Sequence, residues 1–460
     1  MARAAIIAIG AVLLVWPALV NHYPIVFSDT HAFLVQAGEP QMVWDKPFFY
    51  GPFLRALHLD TTLWLPLAGQ GLIVSHLLWL TRAAFTPRLD PRRAAALHLG
   101  LCALLAAGSA APWFVALLMP DIFAPVAVLC LFLLGFAPSL PRGQAIWLGV
   151  LAAFAIATHL SYLPLAAAVI AVALLLRGRP IVLAPLVAAL TMLVASNAIG
   201  HGKPGISPYG SVFALARLVT DGPAQAVLAR DCPEAGWRMC DWQGRFPPDS
   251  DNFMWDGTGP VWSTPGGPKA LAPEAAEIVR RTVLGEPWAV LHHAVANAAK
   301  QLVMVRLGDT LGPEWLQQSI TGSLRAYFPP AEMQRLKAGR QWSDGLRAVA
   351  APLNVPHAAL LVLGAGATLV LLGMAWRRHD RLAAAFAAVV LVAVLANAVA
   401  SGALSRPNDR YQARIAWLVL LPPLLALPRR PQPAVRPPAA SPHPPATSAP
   451  ASHSPSAASR

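Results

Sequence analysis

Two acidic residues of this sequence lie beside apolar segments, where a charged side chain is costly. Asp29 lies in the run 21–31, directly after the first apolar segment, and Asp121 follows Met119 and Pro120 at the start of another. A carboxylate at such a boundary can accept a proton from a hydroxyl group or hold a metal ion. A structural interpretation is also open for each: Asp29 can cap a helix, and Asp121 can complement a helix dipole.

A group of arginines precedes the last apolar segment. Arg410 and Arg414 are four residues apart and share one helix face, and Arg406 lies four residues before them. Guanidinium groups so placed can bind a phosphate or pyrophosphate bidentately, which an ammonium group cannot. His201 and Lys203 follow another apolar segment and are candidates for the same phosphate site. The alternative is that these side chains only anchor helix ends at the membrane surface.

The composition indicates that membrane helices position these residues. Of 460 residues, 56% are hydrophobic and 12% charged, against roughly 45–50% and 25% in soluble domains. Since a span takes about 20 mostly apolar residues, we predict an α-helical polytopic integral membrane protein with about ten transmembrane helices. The predicted spans are residues 4–20, 62–81, 94–118 (broken near 110–112), 121–137, 145–160, 162–176, 181–199, 357–376, 382–402 and 412–428.

The distribution of basic residues predicts the orientation of these spans. With the N-terminus in the cytoplasm, the cytoplasmic segments hold 15 basic residues and two acids, which accounts for the whole net charge of +13. This follows the positive-inside rule and favours anionic lipid, not nucleic acid, as the counter-charge. We predict a bacterial inner membrane protein with both termini in the cytoplasm. Two alternatives remain open: one tilted helix over 145–176, and a cleaved signal peptide at the first span.

The chain divides into four predicted parts. Residues 1–199 form a seven-span membrane domain with a first outer loop at 21–61, and residues 200–350 form a periplasmic domain, mainly α-helical and rich in loops. Residues 351–428 hold three further spans. Residues 429–460, almost all Pro, Ala and Ser, form a disordered cytoplasmic tail.

Two features of the predicted periplasmic domain bear on its chemistry. Cys232 and Cys240 can form a disulfide in an oxidising compartment, or remain free thiols. Trp242, Trp255 and Trp262 lie in a segment rich in Pro and Gly. They can stack on sugars or lie at lipid headgroups, and simple packing is the alternative.

Common motifs of soluble catalysis are missing from the sequence. It contains no His-x-x-x-His metal spacing, no phosphate-binding glycine loop and no serine nucleophile elbow. Soluble nucleotide chemistry therefore has no support, and no cofactor is predicted with certainty.

The arrangement resembles the C-type glycosyltransferase superfamily, polytopic enzymes that move sugars from polyprenyl-phosphate donors on the outer face of a membrane. The likeness rests on Asp29 in the first outer loop, on Asp121 after Met119 and Pro120, and on a large outer region after the seventh span. The resemblance implies that Asp29 is the catalytic acid–base group and Asp121 its assistant. It implies donor-phosphate contacts by Arg406, Arg410 and Arg414, with His201 and Lys203 as additional candidates.

Two departures from the superfamily and two rival functions remain open. Many members have paired acids in the first loop, whereas Asp29 is followed by Thr30, so dependence on a divalent metal is undecided. The outer segment lies in mid-chain and not at the C-terminus. The rivals are a multi-pass transporter or flippase, and a non-catalytic envelope assembly protein.

Overall fold

Helices make up most of the part of the chain that this computed structural model describes, residues 3–39 and 41–426. Within those residues there is no β-strand, and the extended backbone pairs only at one isolated parallel bridge, Ile25 with Leu117. The prediction of an α-helical protein is therefore confirmed. The predicted tail at 429–460 lies outside the described residues.

The N-terminal half is a series of apolar helices separated by short turns. The predicted break near 110–112 is confirmed, and so is the separation of two helices around His159. The helices are α1 (Arg3–Leu14), α2 (Trp16–Asn21), α3 (Thr30–Gly38), α4 (Tyr50–His58), α5 (Trp64–Phe85), α6 (Pro91–Gly108), α7 (Ala111–Ala116), α8 (Phe123–Phe136), α9 (Arg142–Ala157), α10 (Tyr162–Leu175) and α11 (Leu183–His201).

The predicted periplasmic stretch separates into two parts with different cores. Its helices are α12 (Gly210–Asp221), α13 (Pro223–Asp231), α14 (Ser250–Trp255), α15 (Gly267–Gly285), α16 (Pro287–Val303), α17 (Leu316–Tyr327), α18 (Pro330–Ala338) and α19 (Gly345–Ala350). Helices α12 to α15 bury their own apolar cluster, which includes Val212, Phe253 and Ile278. Helices α17 to α19 instead pack into the main core, where the Tyr23 hydroxyl donates to buried Glu332 at 2.7 Å.

The C-terminal helices are α20 (Asn354–Arg377), α21 (Arg381–Leu404), α22 (Asp409–Ala416) and α23 (Leu421–Leu425). Asn408 caps α22, since its side chain accepts a hydrogen bond from the backbone N–H of Arg410 at 2.9 Å. The helix start is thus fixed one residue after Asn408, and Arg406 lies before it.

Length and hydropathy support fewer spans than the ten predicted. Among the described residues three helical segments could cross a membrane: Pro180–His201, Gly345–Arg377 and Arg381–Leu404. A fourth is added if the bent pair α12 and α13 counts as one broken span. Several other predicted spans fall on apolar helices of 10–17 residues, such as α1, α9 and α10, which are shorter than the roughly 20 residues that a bilayer takes.

Candidate functional site

The extended segment after α2 lies beside the segment that leads to Asp121. The Ile25 N–H donates to the Ala116 carbonyl at 3.0 Å, and the Leu118 N–H donates to the Ile25 carbonyl at 2.8 Å. Farther along, the Thr30 hydroxyl donates to the Leu118 carbonyl at 3.1 Å. Because residues 25–30 pair with residues 116–118, Asp29 lies on the segment next to the one that leads to Asp121.

Asp121 and two arginines form a buried ionic group. The Asp121 Oδ1 atom is 3.5 Å from Nε of Arg410 and 3.4 Å from Nη1 of Arg414. Asp121 and Arg414 are almost fully excluded from solvent, and Arg410 is 9% exposed. Because two guanidinium groups share one carboxylate, the group keeps one formal positive charge. We call Asp29, Lys46, Asp121, Arg410 and Arg414 together the Asp121 cluster.

Arg414 is held by residues from distant parts of the chain. Its Nη2 donates to the Ser161 hydroxyl at 3.1 Å and to the Asn397 side-chain carbonyl at 3.2 Å. The rings of Tyr162 and Tyr411 lie about 5 Å from its guanidinium carbon. Its Nε is buried without a hydrogen-bond partner among the described residues. Such multiple contacts fix one orientation of the guanidinium, as a site for an anion requires.

Asp29 does not cap the following helix. Helix α3 begins at Thr30, but the Asp29 side chain accepts no capping hydrogen bond. Its Oδ1 instead lies 3.4 Å from Nζ of Lys46, which also pairs with Asp45. The side chain of Asp29 is 32% exposed, so it is the carboxylate of the Asp121 cluster that solvent reaches.

Electrostatics keep Asp29 and Arg410 charged. Burial alone would raise the pKa of Asp29, but the positive charges of Lys46 and Arg410 outweigh burial and lower that pKa below its ordinary value. Burial would lower the pKa of Arg410, and the negative charges of Asp121 and Asp29, with Tyr411, outweigh it and raise that pKa. Asp29 is therefore a carboxylate at neutral pH, beside two fixed positive charges.

The other predicted phosphate contacts lie elsewhere. Arg406 pairs with Asp251 at 2.6 Å and Asp249 at 3.6 Å, on the surface of the α12–α15 part. His201 and Lys203 both contact the ring of Tyr209. The structure thus joins Asp121, Arg410 and Arg414 by ionic contacts and holds Asp29 within electrostatic range of Arg410. It leaves Arg406, His201 and Lys203 outside these contacts.

An aromatic group adjoins Lys46. Trp44 lies 5.3 Å from Phe213, 5.8 Å from Trp255 and 6.4 Å from Trp262 between ring centroids. The Lys46 ammonium is 5.6 Å from the Trp255 ring centre. Trp255 and Trp262 are each more than 40% exposed, so their indole surfaces can stack on a sugar ring. Lys46 contacts both Trp255 and Asp29, which places this surface near Asp29.

The remaining predicted features are placed as follows. Trp242 contacts Arg245 and not the aromatic group. Cys232 and Cys240 are joined by a disulfide. No group of three or more His, Cys, Asp or Glu suited to a metal ion occurs within residues 3–39 and 41–426.

Sequence reasoning missed three residues that complete the site: Lys46, Ser161 and Asn397. Asn397 had a usable signal, because a polar residue inside an apolar span is a functional candidate by default. Lys46 is the single lysine of the predicted first outer loop, but its partner depends on how that loop folds back.

Comparison of the chain with protein-family models, with curated proteins and with solved structures found no match.

Proposed function

We propose that this protein is a membrane glycosyltransferase. It moves a sugar from a polyprenyl-phosphate donor to an envelope glycan, lipid or protein acceptor on the outer face of the membrane. The observation that carries the proposal is an exposed carboxylate, Asp29, within electrostatic range of buried Arg410, which shares Asp121 with Arg414. A reaction that removes a proton from a hydroxyl and releases a phosphate needs these two kinds of group side by side.

Asp29 is the proposed general base. It is the accessible acid of the cluster, and its lowered pKa keeps it unprotonated at neutral pH. A base must be free of its proton before the reaction and must reach the acceptor hydroxyl. Its contact with Lys46 orients the carboxylate and leaves its second oxygen for the acceptor.

Arg410 and Arg414 are the proposed donor-phosphate groups. Asp121 offsets one of the two guanidinium charges, and a phosphate anion pairs with the other. Arg410, which is 9% exposed, is the arginine that a phosphate can reach, whereas Arg414 is fully buried and acts through its positive charge. Asp121 is engaged by both arginines, so we assign it a positioning role in place of the assisting acid suggested by the superfamily resemblance.

The proposed step is an inverting displacement. The acceptor hydroxyl gives its proton to the Asp29 carboxylate while its oxygen forms a bond to the anomeric carbon. The bond between that carbon and the phosphate oxygen breaks, and its electron pair leaves with the polyprenyl phosphate. The arginines stabilise the negative charge that develops on the leaving phosphate.

We also propose that the shorter apolar helices lie in the bilayer, which gives about ten spans with both termini in the cytoplasm of a bacterial inner membrane. Exposed aliphatic side chains on these helices, such as Val12, Ile146 and Val150, favour contact with lipid. Reporter fusions ending at Arg142 and Arg179 test this topology. Both are expected to report the cytoplasm, and a periplasmic signal from either would contradict it.

The experiment for the proposed function uses the full chain in lipid nanodiscs with a panel of polyprenyl-phosphate sugars. Release of polyprenyl phosphate is measured for the wild type, for Asp29→Asn and for Asp45→Asn, the neighbouring acid that also pairs with Lys46. We expect Asp29→Asn to lower release at least 100-fold, in the range that general-base catalysis supplies, and Asp45→Asn to lower it less than fivefold. Unchanged release in Asp29→Asn would remove the assigned base, and no release by the wild type with any donor would favour a transporter or assembly role.

A further inference from the structure

Helix α16 exposes a continuous apolar stripe. Trp288 is 80% exposed and Val295 is 61% exposed, and Leu291 and Leu302 are also exposed. The four residues are spaced by three, four and seven positions, so they lie on one face of the helix. A stripe of this kind on a water-facing surface is costly, which indicates that something apolar covers it.

The opposite side of α16 packs against α21, one of the three helical segments that could cross a membrane. A Cβ atom at Gly402 of α21 would lie only 2.6 Å from the Asn297 carbonyl oxygen, so the two helices approach at a position that only glycine permits. Past the end of α21, Gln301 exchanges two hydrogen bonds with the Asn408 backbone, at 2.8 and 2.9 Å. Helix α16 is thus fixed to a candidate span.

The neighbouring helix exposes the same kind of surface. Leu395 and Val399 of α21 are each at least half exposed, as lipid-facing residues of a span are. On α16, His292 is exposed next to the stripe, and Lys300 is exposed in the last turn on another face of the helix. An exposed apolar face on a helix that packs against a candidate span is typical of helices in contact with a bilayer, and a lysine near the helix end can reach the headgroups.

We propose that the exposed face of α16 contacts the acyl chains of the bilayer, so that α16 is a membrane-embedded helix and not part of a water-exposed domain. The occupant of the stripe is lipid, because the stripe adjoins the exposed surface of a candidate span. The proposal is independent of the proposed glycosyl transfer, since none of its residues belongs to the Asp121 cluster.

The test places one environment-sensitive fluorophore on α16 in the full chain. Val295→Cys is labelled in a background where the two free cysteines, Cys102 and Cys130, are alanine and the Cys232–Cys240 disulfide is kept. The matched control is Ala276→Cys on α15, an exposed helical position. Both proteins are placed in nanodiscs with and without brominated acyl chains and titrated with iodide.

We expect brominated lipid to quench the probe at Val295→Cys at least threefold more than the probe at Ala276→Cys, with the reverse order for iodide. Equal iodide quenching at both sites would overturn the proposal, since it would place α16 in water. Protection of the Val295→Cys probe from both quenchers would also overturn it, because a protein partner or a second copy would then cover the stripe. If that variant does not fold, Leu291→Cys on the same face gives the same comparison.

Discussion

Arg82 and Arg414 are both buried, but they are satisfied in different ways. Arg82 lies in the last turn of α5, with its guanidinium carbon 4.4 Å from the Trp79 ring centre and its Nη1 donating to Thr86 at 3.1 Å. No carboxylate lies within ion-pair distance of it among the described residues. Arg414 instead contacts a carboxylate, Asp121, together with a hydroxyl and an amide.

The difference lies in where the partners come from. Those of Arg82 are three and four residues away in sequence, and a positive charge at a helix C-terminus is favourable by itself. Arg414 also contacts a nearby ring, Tyr411, but its ion-pair and hydrogen-bond partners lie 17 to 293 residues away, so only the tertiary fold assembles them. A buried ion pair seldom repays its desolvation cost in stability. A functional role of Arg414 therefore explains this arrangement better than a contribution to stability does. Arg82, which is buried without a carboxylate partner among the described residues, is the control for burial alone.

The largest effect is expected from removing the charge of Asp121. Asp121→Asn keeps the side-chain size but leaves two buried guanidinium groups without their shared carboxylate, which should lower the free energy of unfolding by about 3–5 kcal/mol. The measurement is denaturant unfolding of the detergent-solubilised chain.

The control for Asp121→Asn is Asp90→Asn at the exposed N-cap of α6. Asparagine caps a helix about as well as aspartate, so this variant should change stability by less than about 0.5 kcal/mol. Equal stability losses in the two variants would show that burial of the Asp121 charge has no special cost.

Replacing Arg414 or Arg82 with lysine is expected to affect sugar transfer to different extents. Arg414→Lys keeps the charge but loses the forked donors that reach Ser161 and Asn397. We expect sugar transfer to fall at least tenfold in Arg414→Lys and less than twofold in Arg82→Lys. A similar loss in both would mean that Arg414, like Arg82, is a packing residue.

A smaller effect is expected from Lys46, as a shift in pH dependence. The pKa of Asp29 lies below its ordinary value of 3.8 because Lys46 and Arg410 outweigh burial. In Lys46→Ala, burial keeps its raising effect while one lowering charge is lost, so the pKa of Asp29 rises. Since the base must be unprotonated, the acid limb of the rate profile should move to higher pH.

Lys46→Arg keeps the positive charge and serves as the control, with an acid limb close to that of the wild type. The profiles are measured as initial rates of polyprenyl phosphate release from about pH 2 to pH 8, because the pKa of Asp29 in the wild type lies below 3.8. An acid limb that moves to lower pH in Lys46→Ala, or one that moves equally in both variants, would contradict the role of the Lys46 charge.

Local patterns were predictable from the sequence because short-range rules decide them. Arg410 and Arg414 share a helix face because they are four residues apart within α22. Arg406 was grouped with them only because it is close in sequence, but Asn408 caps α22 and leaves Arg406 before the helix, where it pairs with Asp249 and Asp251. Span counting was limited in another way: the predicted spans 145–160 and 162–176 closely match α9 and α10 in length, but helices of 16 and 14 residues are shorter than the roughly 20 residues of a typical span.

Long-range partners were beyond the reach of these rules. Asp121 pairs with Arg414, which is 293 positions away. No pattern in the sequence around either residue predicts the other as its partner. The contact between Asp29 and Lys46 depends on a loop that folds back after α3. Capping was the slightly favoured interpretation of Asp29 from sequence, but its side chain accepts no capping hydrogen bond and instead contacts the Lys46 ammonium.

The most direct test of a phosphate site at the Asp121 cluster is the binding of polyprenyl phosphate to the full chain in nanodiscs. Arg410→Gln is compared with Arg406→Gln, whose arginine pairs on the surface with Asp249 and Asp251. A charge-assisted hydrogen bond contributes roughly 1.5–3 kcal/mol, so Arg410→Gln should raise Kd at least tenfold, and Arg406→Gln less than twofold. Equal Kd values for wild type and Arg410→Gln would contradict the assignment of the site.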